Sequence, residues 1–243
     1  MRRLFQAAVT ALFLGVLASP PASAQQYLNL ALGGFVPRGE TLNTGRVTGR
    51  DSNDVLAANS RFLAFDIKDF RAATVGAEWL IGFGDKVEGS LGVGFNTRTV
   101  PTVYIDYQNR TSSGAITEIE QDLQLRVVPF TATVRFLPIG RHEGIVPYLG
   151  AGVAVLNYRY TESGQFVDNK GVVFSPKDSY VGSGSATGPV ILGGLRVPIG
   201  NWGVGGEVRW QSAQGTLQAD QNFAGSKIDL GGVNYLFTVT FRF

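Results

Sequence analysis

The sequence predicts an all-β protein, an eight-stranded antiparallel up-and-down β-barrel that crosses a membrane. Apolar residues recur at every second position in eight segments, as expected for strands with one apolar face. Short and long connections alternate between these segments. Charged residues make up 16% of the chain, whereas soluble domains typically contain about 25%. We therefore expect a barrel whose apolar face meets lipid.

The eight predicted strands follow one another after residue 24. They cover residues 27–35, 73–79, 87–96, 123–136, 148–160, 187–197, 204–210 and 228–243. The connections after the second, fourth and sixth strands are short, at 84–85, 137–144 and 198–203. Those after the first, third, fifth and seventh are long, at 37–69, 106–117, 161–185 and 212–226. Short periplasmic turns and long external loops are typical of outer-membrane barrels, and this order places both termini on the periplasmic side.

The alternation alone does not say which strand face points inward, so a soluble periplasmic or lipocalin-like barrel is the alternative. The face opposite the bulky residues is rich in glycine, at Gly76, Gly92, Gly94, Gly150, Gly152 and Gly205. Eight strands enclose room only for packed side chains, so small residues suit the interior. A soluble barrel would need plentiful lysine and glutamate outside, which these strands lack. The apolar face is therefore predicted to meet lipid.

The first 24 residues have the pattern of a cleaved secretory signal. Arg2 and Arg3 precede an apolar run over 7–18, and an A-x-A site ends at Ala24. The run is shorter than the roughly 20 residues of a membrane-spanning helix, and no other long apolar run follows. We therefore expect one mature domain, residues 25–243. It contains no cysteine for a disulfide or a lipid anchor.

Charge gives no support for nucleic-acid binding. Removing Arg2 and Arg3 reduces the 21 basic side chains to 19, which equals the number of acidic side chains. A nucleic-acid-binding protein would need a net basic face and a recognisable module. We expect no nucleic-acid partner.

The final segment alternates aromatic and other bulky residues with polar ones and ends on phenylalanine. Its outward positions are Tyr235, Phe237, Val239, Phe241 and Phe243. This pattern resembles the C-terminal assembly signal of bacterial outer-membrane barrels. The resemblance implies export to the outer membrane of a Gram-negative bacterium, where the partners are the assembly machinery and the membrane lipids.

A second motif resembles the same class of protein. The stretch from Pro147 to Val153, PYLGAGV, is similar to the P-Y-x-G-x-G strand of small eight-stranded outer-membrane barrels, the superfamily of the outer membrane protein A transmembrane domain and outer membrane protein W. The resemblance implies a monomer, here without a peptidoglycan-binding domain after Phe243. Outer membrane protein W would further imply passage of small hydrophobic compounds. The scaffold also hosts structural proteins and adhesins, so fold alone does not choose between these functions.

Charged residues fall on the predicted inward face. They are Glu78, Glu88, Glu207, Arg135, Arg196 and Arg209. Arg196 and Glu207 flank one turn at nearly matched distances, so we expect them to be cross-strand neighbours. Because an unpaired buried charge costs several kcal/mol, we predict a plug of salt bridges. Its role is either structural, filling the lumen and fixing register, or that of a gate.

No catalytic, cofactor-binding or metal-ligating constellation is apparent. The single histidine, His142, lies in a predicted periplasmic turn between Arg141 and Glu143, with no strand to position a nucleophile within about 3 Å. We predict a protein that is not an enzyme and has no cofactor. A lipid-modifying enzyme that uses carboxylates instead of histidine is the remaining alternative.

Two further features concern the membrane boundary and the first external loop. Aromatic residues near strand ends are predicted to anchor the barrel at the headgroups, at Trp79, Tyr158, Tyr160, Trp202 and Trp210. In the loop, Ser52 is predicted to cap a helix from Asn53 to about Phe65. The apolar side of that helix, Val55, Leu56, Phe62 and Leu63, would line a site for a small hydrophobic molecule or cover the strand tips.

The sequence leaves two functions open. A structural or surface-interaction role predicts a lumen closed throughout by paired charges. A conduit for small, hydrophobic solutes predicts an apolar upper lumen that opens to solvent or to lipid.

Overall fold

The computed structural model describes residues 25–41, 47–48, 53–110, 114, 116–141, 144–168, 170–176 and 178–243. The predicted signal segment 1–24, the predicted cap Ser52 and the turn residue His142 lie outside the described residues. Within the described part, no helix has both the length and the apolar character needed to cross a membrane.

Eight antiparallel strands form a closed barrel, as predicted. They are β1 Gln26–Pro37, β2 Ala72–Phe83, β3 Val87–Arg110, β4 Ile116–Phe136, β5 Val146–Gly164, β6 Tyr180–Ile199, β7 Trp202–Gln211 and β8 Gly232–Arg242. Each strand pairs with its neighbours in sequence, and β1 pairs with β8 to close the sheet. In the lower part, where all eight strands run side by side, every strand is paired on both sides, which satisfies the backbone where no water can.

The remaining elements lie in the external connections. They are a helix α1 Val55–Asn59, the 3₁₀ turns Ile67–Phe70 and Ala219–Gln221, and three short ribbons that pair Glu40–Thr41 with Val47–Thr48, Phe166–Val167 with Val173–Phe174, and Gln214–Thr216 with Lys227–Asp229. The last ribbon corrects the predicted start of the eighth strand at Ile228. That residue pairs with Gly215 in the loop, and β8 begins at Gly232.

Four strands are much longer than a membrane crossing requires. β3, β4, β5 and β6 have 24, 21, 19 and 20 residues, whereas a tilted crossing takes about 9–11. Much of the sequence predicted as loops at 106–117 and 161–185 is therefore strand. We call the extended part, residues 97–110, 116–126, 157–164 and 180–187, the wall.

The polarity of the strands reverses along their length, which explains why sequence alternation missed the wall. In the lower part of β4, Phe130 and Val134 point outward, and Thr133 and Arg135 are buried inside. From Arg126 to Glu118 the outward positions of β4 carry charged or polar residues, while most inward positions are apolar, as at Leu123. Water surrounds the wall, so its outer face no longer needs to be apolar.

The lower outer surface is an apolar band, which confirms the predicted outward orientation. Leu32, Leu149 and Phe237 are exposed by 60%, 64% and 56% respectively. The band also contains Leu28, Leu30, Val75, Leu91, Val93, Phe130, Val134, Val153, Ile191, Leu195, Val208 and Tyr235. An apolar surface that encircles a barrel is the arrangement expected in lipid.

The predicted interfacial aromatics divide into two groups. Trp79, Trp202 and Trp210 are exposed on the outer surface. The prediction was wrong for Tyr158 and Tyr160, which are only 4% and 0% exposed. Even-numbered residues of β5 point inward, so both tyrosines share the inner face with the glycines of the PYLGAGV motif. Their hydroxyls donate to Thr216 O and to a Glu162 carboxylate oxygen, at 2.7 and 2.9 Å.

Two adjacent glycines of β1 provide a test of packing between the barrel strands. A Cβ atom on Gly33 would lie 1.9 Å from Tyr235 O, whereas one on Gly34 has 3.9 Å to its nearest neighbour. Gly33→Ala should lower the free energy of unfolding by about 1–3 kcal/mol, because β1 and β8 must separate locally. Gly34→Ala should change it by less than about 0.5 kcal/mol. Urea titration in lipid vesicles measures both, and equal effects would contradict the close approach.

Candidate functional site in the barrel lumen

The lower lumen contains a network of ion pairs that we call the charge layer, comprising Glu78, Glu88, Arg135, Arg141, Arg196, Glu207 and Arg209. Six of its members are the residues predicted to be in the lumen, and all six point inward from β2, β3, β4, β6 and β7. Successive side chains of a strand point to opposite faces, and each of these six residues occupies an inward position of its strand.

Four members form a closed ring of alternating charge. The guanidinium of Arg135 bonds to Glu78 and lies 3.0 Å from Glu207 Oε2. Nη2 of Arg209 lies 2.5 Å from both Glu78 Oε1 and Glu207 Oε1. Each carboxylate therefore bridges two arginines. The charges cancel within the ring, which is the arrangement that makes buried ions tolerable.

Two neutral side chains complete the ring, and sequence reasoning did not assign either to the lumen. The Tyr148 hydroxyl donates to a Glu207 carboxylate oxygen at 3.1 Å. The Arg135 guanidinium lies over the Tyr148 ring, 5.0 Å from the centroid of that ring. Asn29 donates to Glu78 at 3.2 Å. Strand parity is the signal that could have found both, because Tyr148 alternates with the outward Leu149.

The second group of ion pairs is centred on Glu88, nearer the periplasmic end. Glu88 Oε1 accepts from Arg196 at 2.7 Å and from Arg141 at 3.2 Å. Arg141 also donates to Gly84 O and, at 2.7 Å, to Val87 O. It thereby fastens the turn after β4 to the turn after β2. Turn residues have no strand parity, so sequence reasoning missed its role.

The predicted pairing of Arg196 with Glu207 was wrong. Arg196 lies opposite Gly205, and Glu207 lies opposite Gly194, so the two are offset by two residues. Arg196 instead reaches across the lumen to Glu88 on β3. A narrow barrel brings distant strands as close as adjacent ones, and counting from a shared turn cannot identify such partners.

The upper lumen is filled by part of the first external loop. We call residues 54–70 the plug. Its helix α1 is capped by Asp54, whose Oδ1 accepts from the backbone N–H groups of Leu56 and Ala57 at 3.0 and 3.1 Å. The predicted helix over 53–65 was too long, because the helix ends at Asn59. The next backbone N–H groups, of Arg61 and Phe62, donate to carbonyls only three residues back instead of four. Asp54 Oδ2 also accepts from Asp229 N at 2.5 Å, which ties the plug to the last external connection.

The plug seals the upper lumen through apolar packing. Its buried side chains are Val55, Leu56, Leu63, Ile67 and Phe70. They pack against inward residues of the barrel strands and of the last external connection, including Val100, Leu123, Leu125, Leu156, Tyr160, Leu217 and Ile228. Full burial of each such side chain stabilises by about 1.5–3 kcal/mol. The expectation that charges close the lumen throughout therefore fails for its upper half, which is apolar but occupied.

A polar contact, the Glu162 latch, holds the plug to β5. Asn59 Nδ2 donates to Glu162 Oε1 at 2.6 Å and to Tyr160 Oη at 2.9 Å. Glu162 lies in the wall, where its outward neighbours are polar, so this group is outside the apolar band. Burial raises the pKa of Glu162, and the donors Asn59 and Tyr160 oppose that rise. Burial also holds the pKa of Tyr160 well above its usual value, so its hydroxyl remains a donor.

A cavity of about 730 Å³ is lined by Ala64 of the plug and by residues of the wall that include Gln121, and two further cavities show the extent of the closure. One of about 470 Å³ forms a vestibule at the periplasmic mouth and ends at Arg141 and Arg196. Another of about 30 Å³ lies beside Glu78, Thr131 and Arg209, with room for about one or two water molecules. Throughout the described ranges, no group of three or more histidine, cysteine, aspartate or glutamate residues could hold a metal ion.

Solved structures share this architecture. Outer membrane protein OprG of Pseudomonas aeruginosa aligns over 90% of this chain and 96% of its own, with a TM-score of 0.50 and 12% identity. The chain has the fold of the small outer-membrane β-barrels. The N-terminal barrel domain of OprF from the same organism aligns over 91% of this chain and 100% of its own, with a TM-score of 0.42 and 13% identity. No family model matches the sequence, and no curated protein matches it.

The likeness extends to the fold and not to a specific function. At 12% identity, the likeness to OprG concerns the fold alone. The apolar band is the kind of surface that a barrel exposes to lipid. Function has to be argued from the lumen and the external surface.

A pair of double-mutant cycles tests the partners within the charge layer. Because Arg196 bonds directly to Glu88, Arg196→Met and Glu88→Gln should show a coupling energy of about 0.5–3 kcal/mol. The cycle of Arg196→Met with Glu207→Gln should show a smaller one. Free energies of unfolding of the refolded barrel measure both cycles. A larger coupling energy between Arg196 and Glu207 than between Arg196 and Glu88 would support the pairing predicted from the shared turn and contradict the observed one.

The Glu162 latch should make stability depend on pH. A carboxyl group whose pKa is raised by folding contributes stability below its unfolded pKa, near 4.5, and loses that contribution as pH rises through its folded pKa. The free energy of unfolding of the parent, relative to Glu162→Gln, should therefore fall as pH rises above 4.5. Asn59→Ala, which removes a donor to the carboxylate, should enlarge the fall. A difference that stays constant between pH 4 and 8 would rule out the latch as a titrating group.

Proposed function

We propose that this protein is a non-enzymatic, non-conducting outer-membrane barrel whose projecting wall serves surface interaction. The observation that carries the proposal is the double closure of the lumen by the charge layer and the plug. The proposal includes removal of residues 1–24 as a signal peptide and insertion as a monomer. Recognition by the assembly machinery would use the outward side chains of β8, including Tyr235 and Phe237, which are exposed.

The two closures act in series. Opening the lower one requires separating buried ions, and removing one partner of a buried pair costs about 3–5 kcal/mol. Opening the upper one requires withdrawing five buried apolar side chains of the plug. A solute that passed one closure would still meet the other. This arrangement supports a closed barrel more strongly than a gate that responds to a single rearrangement.

The wall supports the surface-interaction part of the proposal. Its strands are paired along most of their length, with an irregularity in the pairing of β3 with β4 between Val103 and Gln108. Near its tip, Ile105, Tyr107, Ile116 and Val172 are exposed by 44–57%. Exposed apolar groups on a polar surface are typical of protein interaction sites.

The non-enzymatic part of the proposal rests on the state of the lumenal carboxylates. Glu78, Glu88 and Glu207 each accept from arginine side chains. A carboxylate held in such ion pairs is a weak base and is poorly placed to accept a proton from a substrate.

A conduit for small hydrophobic solutes is the second candidate. It is favoured by the origin of the upper closure, because the plug belongs to a connection and not to a barrel strand. Withdrawal of the plug would leave an apolar chamber above the charge layer. The chamber would suit a hydrophobic solute and would be too apolar for an ion.

Single-channel recording tests whether each closure seals the lumen against ions. The parent in a planar bilayer should be silent. A variant with the plug, residues 54–70, replaced by a Gly-Ser linker should also be silent, because the charge layer remains. A variant with Glu78→Gln, Glu207→Gln, Arg135→Met and Arg209→Met should be silent because the plug remains, whereas the combined variant should conduct.

Retention of the folded barrel by every variant is checked by circular dichroism before recording. Discrete openings in the parent would overturn the proposed closure. Openings after loss of the plug alone would show that the charge layer does not seal, and would favour the conduit.

A further inference from the structure

A row of polar residues crosses the outer surface at the external end of the apolar band. Running from β3 to β6, it consists of Thr97, Arg126, Arg159 and Ser183. Each residue is directly opposite the next in the strand register, and all four are exposed on the outer face. The row contains two adjacent positive charges and two hydroxyl groups.

The two arginines form an unusual pair. Arg126 and Arg159 are direct cross-strand partners. Across the residues that the structure describes, neither guanidinium makes a hydrogen bond or an ion pair. The Arg126 guanidinium does lie over the ring of Phe95. Like charges directly opposite one another on a sheet are destabilising. Adjacent strands lie about 4.8 Å apart, so both guanidinium groups can reach a single anion between them.

The surroundings of the pair favour an anion from outside the protein, because no carboxylate in the described part of the chain lies beside the two arginines. The next row outward consists of Thr99, Gln124, Thr161 and Val181, which contains no acid. The first acidic residue on the outer face of β4 beyond Arg126 is Asp122, four positions away. No carboxylate of the outer face in these two rows neutralises the arginines.

The position of the pair specifies the rest of the ligand. On the membrane side, the outward residues that follow on β4 are Val128 and Phe130, and β5 presents Asn157 and then Val155. The Arg126 guanidinium lies 5.3 Å from the centroid of the Phe95 ring, at the end of the apolar band on β3. A ligand bound here would place its charge against the arginines and its apolar part along the band.

We propose that Arg126 and Arg159 bind the phosphate group of a phosphorylated lipid in the outer leaflet. The planar guanidinium groups can bond phosphate oxygens bidentately, and Thr97 and Ser183 supply flanking hydroxyl donors. The acyl chains lie along Phe130 and Val155. The inference uses only one part of the proposed function, that the wall faces outward from the outer membrane, and does not depend on whether the lumen conducts.

Native mass spectrometry of the barrel in an uncharged detergent tests the site. The probes are diphosphoryl lipid A and the same lipid with both phosphates removed. The parent should bind the diphosphoryl form at least tenfold more tightly. Arg126→Gln with Arg159→Gln should abolish this preference, whereas Arg126→Lys with Arg159→Lys should retain part of it. Arg61→Gln, which removes an exposed arginine of the plug away from the row, is the matched control and should leave the preference intact.

Three outcomes would overturn the site. They are an unchanged preference in the double glutamine variant, an equal loss in Arg61→Gln, and displacement of the lipid by millimolar inorganic phosphate, which would indicate a site for the free ion. Conductance and folding in vesicles without lipid A, measured on the same samples, report on the proposed function independently.

Discussion

The structure depends on one constraint, the closure of only eight strands into a sheet with no free edge at the level of the apolar band. Closure satisfies the backbone in lipid, but it leaves a narrow interior that side chains must fill. Each residue of a crossing strand therefore belongs either to the lipid face or to the lumen. Any charge that falls inside must find its partner within the barrel, and Arg135 does so by bonding to both Glu78 and Glu207.

The two halves of the lumen meet this requirement in different ways. In the lower half the strands are fully paired and their inward side chains are fixed, so ions from different strands can interlock. In the upper half the inward faces of the wall are apolar, and this part of the barrel lies beyond the apolar band. The first external connection enters there, and its plug supplies the apolar surface that the wall alone would leave exposed.

Strand parity explains which features were predictable from the sequence. It gave the strand number, the apolar band and the inward charges, because these follow from period two alone. It could not identify Glu88 as the partner of Arg196, since that contact crosses the lumen. Parity places Tyr158 and Tyr160 inside, whereas their nearness to a strand end predicts the membrane boundary, and the structure follows parity. The wall was missed because its polarity is opposite to that of a lipid-facing strand.

That reversal of polarity connects the plug, the wall and the arginine pair. Along β4, inward residues change from Arg135 and Thr133 to Leu125 and Leu123, while outward residues change from Phe130 to Arg126. Both changes occur within a few residues, so a single boundary on the strand separates the ionic lumen inside lipid from the apolar lumen outside it. The plug needs the apolar inner face beyond that boundary. The outer face at the same level meets the headgroups, where an arginine can use its charge without leaving water. One sequence reversal thus sets both the upper closure of the barrel and the level at which Arg126 and Arg159 meet the membrane surface.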